Sequence, residues 1–198
     1  MHTFNKMKFL EIVKENNRLT NSLVGPEYRI KVVSNVIVNP IKEVLELSLR
    51  SNGVNGTVVL SDYDNIVQET KDCGTFNAYF LVWELSNIID GVLFSAQNMN
   101  DGRLDSLIQF TINTIDLAVN NLKNVSLVFI TKFSVAALSG RTILNLDNIQ
   151  KIVSQLNEHL EGMDQRNLHL VSVGDVLLRA GITKSYDHRL FYTSKAPY

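Results

Sequence analysis

The stretch that decides the fold is Tyr28-Arg-Ile-Lys-Val-Val-Ser-Asn-Val-Ile-Val-Asn-Pro40. It begins as an apolar run typical of a buried strand, reaches the polar pair Ser34-Asn35, and then passes into an amphipathic helix. Asn39 is a residue type that caps helices, and Pro40 suits a first helical turn, where a missing N–H needs no partner. In open parallel sheets, ligands bind beyond the carboxyl ends of the strands, where the strand order reverses. If this is the first central strand, Ser34 and Asn35 lie at that crevice.

Apolar runs of strand length recur along the chain, and stretches of helical periodicity separate them. We predict strands that start near residues 29, 56, 78, 125 and 168. Such alternation favours a parallel sheet with helices on both faces and right-handed crossovers. The predicted fold class is therefore α/β, a three-layer α/β/α sandwich around a five-stranded parallel sheet in the order 2-1-3-4-5. Its core is predicted to include Trp83, Ile108, Val128 and Ile152.

Length and composition bound the class of protein. Residues 1–24 are predicted to form a helical leader with a helix over 3–16, and residues 25–198 to form one α/β domain. The hydrophobic content of 45% suffices for a sizeable core, and the net charge of −1 does not favour nucleic acid. A single cysteine, Cys73, excludes an internal disulfide framework and fits a reducing, cytoplasmic compartment. No apolar stretch approaches the roughly 20 residues of a membrane span, so no membrane partner is expected.

Polar side chains follow each of the first three predicted strands. Ser34 is a candidate nucleophile, and a serine in that role needs a base and donors that hold the oxyanion. Asn35 and Asn87 are candidate donors because asparagine amides can stabilise an oxyanion, and Asp62 is expected at the same edge of the sheet. The alternative is that these polar residues simply end strands and begin turns.

Asp187-His188 is a carboxylate–histidine pair adjacent in the sequence, in the closing segment of the chain. In a catalytic triad the acid orients the histidine, which acts as the base. Adjacent side chains diverge in strands and helices, so a solvated loop histidine is the alternative. Arg189 offers a planar fork of donors for a phosphate or carboxylate, with an ordinary solvated surface as the alternative. We find no Walker loop, no dinucleotide glycine fingerprint and no Cys/His metal spacing, and therefore predict no cofactor and no metal.

Three segments together resemble the amino-terminal domain of FkbH-type proteins. They are Ser34-Asn35, Asp62-Tyr-Asp64, and the closing residues Tyr186–Tyr192 with Lys195–Tyr198. That domain is similar to SGNH/GDSL hydrolases, and in full-length members it precedes a haloacid-dehalogenase (HAD)-type domain. The resemblance covers about residues 25–198 and implies an SGNH-hydrolase- or flavodoxin-like sandwich in a biosynthetic protein. FkbH-type proteins are associated with activating a glyceryl unit and loading it on a carrier protein. That chemistry belongs to the second domain, whose Asp-x-Asp motif is absent here.

Only some catalytic residues of SGNH hydrolases have counterparts at the matching positions of this sequence. Ser34 takes the nucleophile position, although Val-Val-Ser stands where Gly-Asp-Ser is usual, and Ser61-Asp62 replaces the glycine donor. Leu190 stands where the histidine belongs, so His188 would act from a neighbouring position. Two interpretations stay open. One is a module that binds a small acyl, glyceryl or carrier-linked group, with at most weak ester hydrolysis or acyl transfer. The other is a non-catalytic interaction domain that docks a HAD-type domain or an acyl carrier protein.

Overall fold

Five parallel strands form one sheet in the order β2-β1-β3-β4-β5, as the sequence predicts. The structure is a computed structural model, and it describes residues 7–20, 22–89, 96, 98–135, 147–181, 185 and 187–196. The strands are β1 (Tyr28–Ser34), β2 (Gly56–Leu60), β3 (Ala78–Val82), β4 (Leu127–Thr131) and β5 (Leu168–Val171). The helices are α1 (Phe9–Thr20), α2 (Pro40–Ser51), α3 (Ile66–Lys71), α4 (Leu85–Ile88), α5 (Asp101–Asn121), α6 (Asp147–Glu161), α7 (Val173–Ala180) and α8 (His188–Ser194).

The sheet is covered by apolar side chains on both faces. Successive side chains of a strand point to opposite faces, so Val32 and Val33 of β1 enter different clusters. The cluster around Val32 includes side chains of α2, and the larger cluster around Val33 includes side chains of α5 and α6. The predicted core is confirmed, because these four side chains are buried: Trp83, Ile108, Val128 and Ile152. The fold is therefore an α/β sandwich with the sheet in its middle layer.

Helix α1 is longer at its carboxyl end than the sequence indicates. The predicted helix covers residues 3–16, but α1 begins at Phe9, leaving residues 7 and 8 outside it, and continues to Thr20; residues 1–6 lie outside the described residues. The added turn is polar, and a bidentate contact from Arg18 to Glu15 spans it. Pattern-based reasoning treats such a polar stretch as a loop, whereas here partners on its own helix and on α2 stabilise it.

Buried polar contacts join α1 to α2. The Asn16 amide donates to Glu43 at 2.7 Å and to Glu46 at 3.1 Å, and it accepts from Arg50 Nη1 at 2.6 Å. Glu46 Oε1 also accepts from the backbone N–H of Val58 in β2 at 2.9 Å. The helix of the predicted leader is thus tied to the sheet through charged and amide groups that are themselves buried.

The amino terminus of α2 corrects one prediction. Asn39 is the residue before the helix, yet its side chain makes no capping hydrogen bond. Its backbone is already helical, at φ −48° and ψ −41°, whereas a capping side chain normally works from an extended backbone. Asn100 does cap α5, accepting from Arg103 N at 3.0 Å, and α5 begins at Asp101. Within the described ranges, no helix combines the length and the apolar character that crossing a bilayer requires.

Candidate functional site

A cavity of about 330 Å³ opens at the carboxyl edge of the sheet. It lies beyond β1 and β3, which are the neighbours between which the strand order reverses, and α3 and α5 contribute its walls. Its polar lining comes from Asn35, Asp64, Asn65, Asn87, Thr111 and Thr114, and its apolar lining from Ile66, Val67, Trp83, Ile88 and Phe110. The mixture fits a ligand site, in which apolar walls surround a few placed polar groups.

Asn35 joins the chain after β1 to the chain after β3. Its side chain is only 2% exposed. The amide Nδ2 donates to the Glu84 carbonyl at 2.9 Å, and Oδ1 accepts from the Glu84 N–H at 2.7 Å. This reciprocal pair satisfies two buried backbone groups that the end of β3 would otherwise leave without a partner. Asn35, the predicted oxyanion donor, therefore also holds the chain after β1 against the chain after β3.

Asn87 connects this hydrogen-bonded pair to the loop after β2. Its Nδ2 donates to the Asn35 carbonyl at 2.7 Å, and its Oδ1 accepts from the Tyr63 hydroxyl at 3.3 Å. Both asparagines line the cavity, as predicted for one crevice. Three strand ends are thus linked by side-chain amides and one phenol.

Ser34 lies on the other face of the sheet from Asn35. Its side chain lines a separate pocket of about 50 Å³ together with Val36, Leu60 and Ser61. Its Oγ accepts from the Val36 N–H at 3.0 Å. The alternation of side chains along β1 explains the separation, because residues i and i+1 point to opposite faces. The structure therefore places the predicted nucleophile and the nearest predicted donor in different pockets.

The loop after β2 contributes Asp64 to the cavity lining, whereas the predicted residue Asp62 does not appear there. Both carboxylates are exposed. Asp64 has a φ of 55°, and its N–H donates to the Ser34 carbonyl at 3.1 Å. Loss of water around the side chain raises the pKa of Asp64, while the charge of Lys195 acts in the opposite direction. Asp64 stands two residues after Asp62 in a segment already singled out, but only the turn geometry shows which carboxylate meets the cavity.

The closing segment reaches the same end of the sheet through its backbone. The Lys195 carbonyl accepts from the Ile37 N–H at 2.7 Å, just beyond β1. Asp187 caps α8, since its Oδ1 accepts from the N–H groups of Arg189 at 2.8 Å and Leu190 at 3.2 Å. The Arg189 side chain is exposed. His188 begins α8, but its side chain lies outside the described residues, so its approach to Ser34 stays a prediction.

Helix α5 supplies the part of the lining that sequence reasoning missed. Thr111 is buried on the stripe that also carries Ile108 and Ile115. Its hydroxyl donates to the Leu107 carbonyl at 2.9 Å. A threonine that interrupts an apolar helical stripe is the pattern that could have pointed to this wall. In the described part of the chain, no group of three or more His, Cys, Asp or Glu side chains is placed to hold a metal ion.

Comparisons with known proteins identify the fold. No family model and no curated protein matches the chain. Two solved structures share its architecture. The N-terminal part of BF1531 from Bacteroides fragilis, which contains a phosphatase domain and was crystallised with Mg, superposes with a TM-score of 0.75 at 9% identity, over 96% of this chain and 52% of that one. The salicylyl-acyltransferase SsfX3 of a tetracycline biosynthetic pathway superposes with a TM-score of 0.50 at 12% identity, over 88% of this chain and 50% of that one.

Both likenesses are likenesses of fold, because the sequence identities are 9% and 12%. They agree with the SGNH- or flavodoxin-like sandwich that the sequence predicts. This chain spans about half the length of each neighbour. Function on one fold differs between proteins, so it must be argued from the site.

Proposed function

We propose that this chain is an SGNH-like domain of the FkbH type that binds a small acyl, glyceryl or carrier-linked group in a biosynthetic protein. The observation that carries the proposal is the cavity between the ends of β1 and β3. Its volume of about 330 Å³ lies at the small end of the range for ligand pockets. Its position at the strand-order reversal is where open α/β sheets place their ligands.

The geometry favours binding over hydrolysis. A serine nucleophile must meet the ligand, yet Ser34 lines the pocket on the opposite face of the sheet. Asn35, which lines the main cavity, has both ends of its amide engaged with Glu84. An oxyanion hole needs donors aimed at the reacting oxygen. We therefore assign the cavity to non-covalent recognition, and any ester hydrolysis through Ser34 to a weak side activity.

The fold neighbours give limited support. SsfX3 is by name an acyltransferase of a biosynthetic pathway, and it carries this architecture over half of its length. An acyl group on a similar scaffold is therefore compatible with the cavity described here. The support is that of analogy between folds, and the lining residues carry the argument.

The alternative is a non-catalytic interaction domain that docks a HAD-type domain or an acyl carrier protein. Helix α7 favours it, since Val176 and Leu178 are exposed beside the exposed Arg179. Exposed apolar side chains and a cation on one short helix suit the acidic surface of a carrier protein. The BF1531 fragment contains a phosphatase domain, and this chain matches only about half of it.

A binding measurement on matched variants of α5 tests the proposal. Phe110 lines the cavity and is 70% exposed, whereas Leu117 lies on the same helix, is 50% exposed and does not appear in the lining. We expect S-propionyl pantetheine to bind the wild type in an NMR titration. Phe110→Ala should weaken it several-fold because an apolar wall is lost, and Leu117→Ala should leave it unchanged. Absence of binding to the wild type would overturn the proposal.

An ester assay separates binding from catalysis. We expect short-chain aryl esters to show no turnover that depends on Ser34, so that wild type and Ser34→Ala behave alike. Turnover by the wild type that is lost in Ser34→Ala would instead establish a hydrolase. Titration with an acyl carrier protein, followed by the signals of α7, tests the alternative.

A further inference from the structure

Asp64 places a carboxylate in the lining of the cavity, and it was not among the predicted site residues. We propose that the Asp64 carboxylate accepts a hydrogen bond from the bound group, so that the cavity selects a neutral, hydroxyl-bearing acyl unit over an anionic one. The inference rests on the proposed function, since it assigns the selecting residue of the same cavity.

The loop after β2 holds Asp64 in place from the backbone. Among the described residues, Asp64 and Lys195 are the two non-glycine residues in the left-handed region, with φ of 55° and 54°. Asp64 N–H donates to the Ser34 carbonyl, and the Lys195 carbonyl accepts from Ile37 N–H. Backbone hydrogen bonds therefore anchor both residues near the end of β1. Such backbone conformations persist where surrounding contacts enforce them.

The wall formed by α5 presents acceptors to the cavity. The Thr111 hydroxyl donates to the Leu107 carbonyl at 2.9 Å, and the Thr114 hydroxyl donates to the Phe110 carbonyl at 2.8 Å. Each hydroxyl has one hydrogen and two lone pairs, so a threonine that donates to its own helix can only accept from a ligand.

Two amides of the lining also donate hydrogen bonds to the protein itself. Asn35 Nδ2 donates to the Glu84 carbonyl, and Asn87 Nδ2 donates to the Asn35 carbonyl. Each of these hydrogen bonds engages one of the two hydrogens of its amide. The Asp64 carboxylate and the two threonine hydroxyls are acceptors that the lining offers to a ligand hydroxyl.

Charge adds discrimination against anions. Loss of water raises the pKa of Asp64, and the charge of Lys195 offsets this in part. A second negative charge at this carboxylate would meet like-charge repulsion where solvent is partly excluded. A hydroxyl avoids that repulsion and makes a charge-assisted hydrogen bond, which is stronger than a neutral one.

The test compares three thioesters of similar size on matched variants. The probes are S-lactoyl, S-propionyl and S-malonyl pantetheine, and the measurement is the dissociation constant from an NMR titration. Asp64→Asn removes the charge and keeps the backbone, because asparagine tolerates the left-handed region. Asp64→Gly, which accepts positive φ freely, is a second variant in case the first misfolds. Asp62→Asn is the control, since Asp62 is an exposed carboxylate of the same loop outside the lining.

We expect the wild type to bind the lactoyl probe most tightly and the malonyl probe least. Asp64→Asn should reduce the preference for lactoyl over propionyl by about tenfold, or ~1.4 kcal/mol. It should also strengthen malonyl binding, and Asp62→Asn should change neither ratio.

Two results would overturn the assignment of Asp64. They are equal affinity of the wild type for the lactoyl and malonyl probes, and an unchanged lactoyl preference in both Asp64 variants. Propionyl binding would still stand in those cases, so the proposed function would survive. Failure of all three probes to bind the wild type would overturn the proposed function and this inference with it.

Discussion

Replacing Asn35 by alanine tests whether the main role of this residue is to stabilise the fold through its contacts with the Glu84 backbone. The change removes two hydrogen bonds, at 2.9 Å and 2.7 Å, to the backbone of Glu84. Asn35 is 2% exposed, so water does not readily replace the lost amide. A buried polar group left without a partner costs about 1–3 kcal/mol. Two such groups predict a loss of about 2–6 kcal/mol in the free energy of unfolding.

Thermal and urea denaturation followed by circular dichroism measure that loss. For a chain of this size, a loss of 1 kcal/mol lowers the melting temperature by about 2–4 °C, so Asn35→Ala should lower it by about 4–24 °C. Asn39→Ala is the matched control, because Asn39 is exposed and its side chain makes no capping hydrogen bond. It should change stability by less than about 0.5 kcal/mol.

One combination of results would refute this reasoning. If Asn35→Ala unfolds at the wild-type midpoint but no longer binds S-propionyl pantetheine, the amide serves the ligand rather than Glu84. The hydrogen bonds described for the unliganded chain would then have to rearrange when the ligand binds.

Two further predictions concern the core and the contact between α1 and α2. Ile108→Ala should cost about 2–5 kcal/mol in a denaturation experiment, because Ile108 is buried where α5 meets the sheet, while Leu117→Ala on the exposed side of α5 should stay within about 0.5 kcal/mol. Equal midpoints for these two variants would contradict the orientation of α5. Glu46→Ala should cost about 3–5 kcal/mol, since it leaves the buried Arg50 without its carboxylate at 3.3 Å and Val58 N–H without its acceptor. A loss below about 1 kcal/mol would show that the pair is solvated.

Local pattern predicted the order and type of the elements well. Continuous apolar runs identify strands buried on both faces, and their alternation with helices leaves few topologies once crossovers are right-handed. The predicted strand order is confirmed, and predicted strand starts agree with the observed ones within two residues. Boundaries that depend on capping were less predictable: Asn39 matched the residue preference for a cap, but its helical backbone prevents the contact.

Some features of the candidate site also follow from the sequence, and others do not. Because parallel strands share one carboxyl edge, the sequence was enough to bring Asn35 and Asn87 to one cavity. Because side chains alternate along a strand, the sequence also predicts that Ser34 and Asn35 point to opposite faces of the sheet. The resemblance to SGNH hydrolases instead placed both residues at one site. Residue type and spacing therefore determined which elements form and which edge of the sheet carries the site.

Only the tertiary structure decided which side chains meet there. Thr111 of α5 and Asp64 of the β2 loop line the cavity, and the charge of Lys195 from the closing segment acts on Asp64. These residues are distant in sequence, and no local periodicity relates them. Asn16 likewise is buried with its amide satisfied because α2 supplies charged partners to it. The physical reason is that secondary structure follows from local sterics and apolar spacing. The chemistry of a cavity depends on long-range packing, which selects the face, the turn conformation and the hydrogen-bond partner of each polar group.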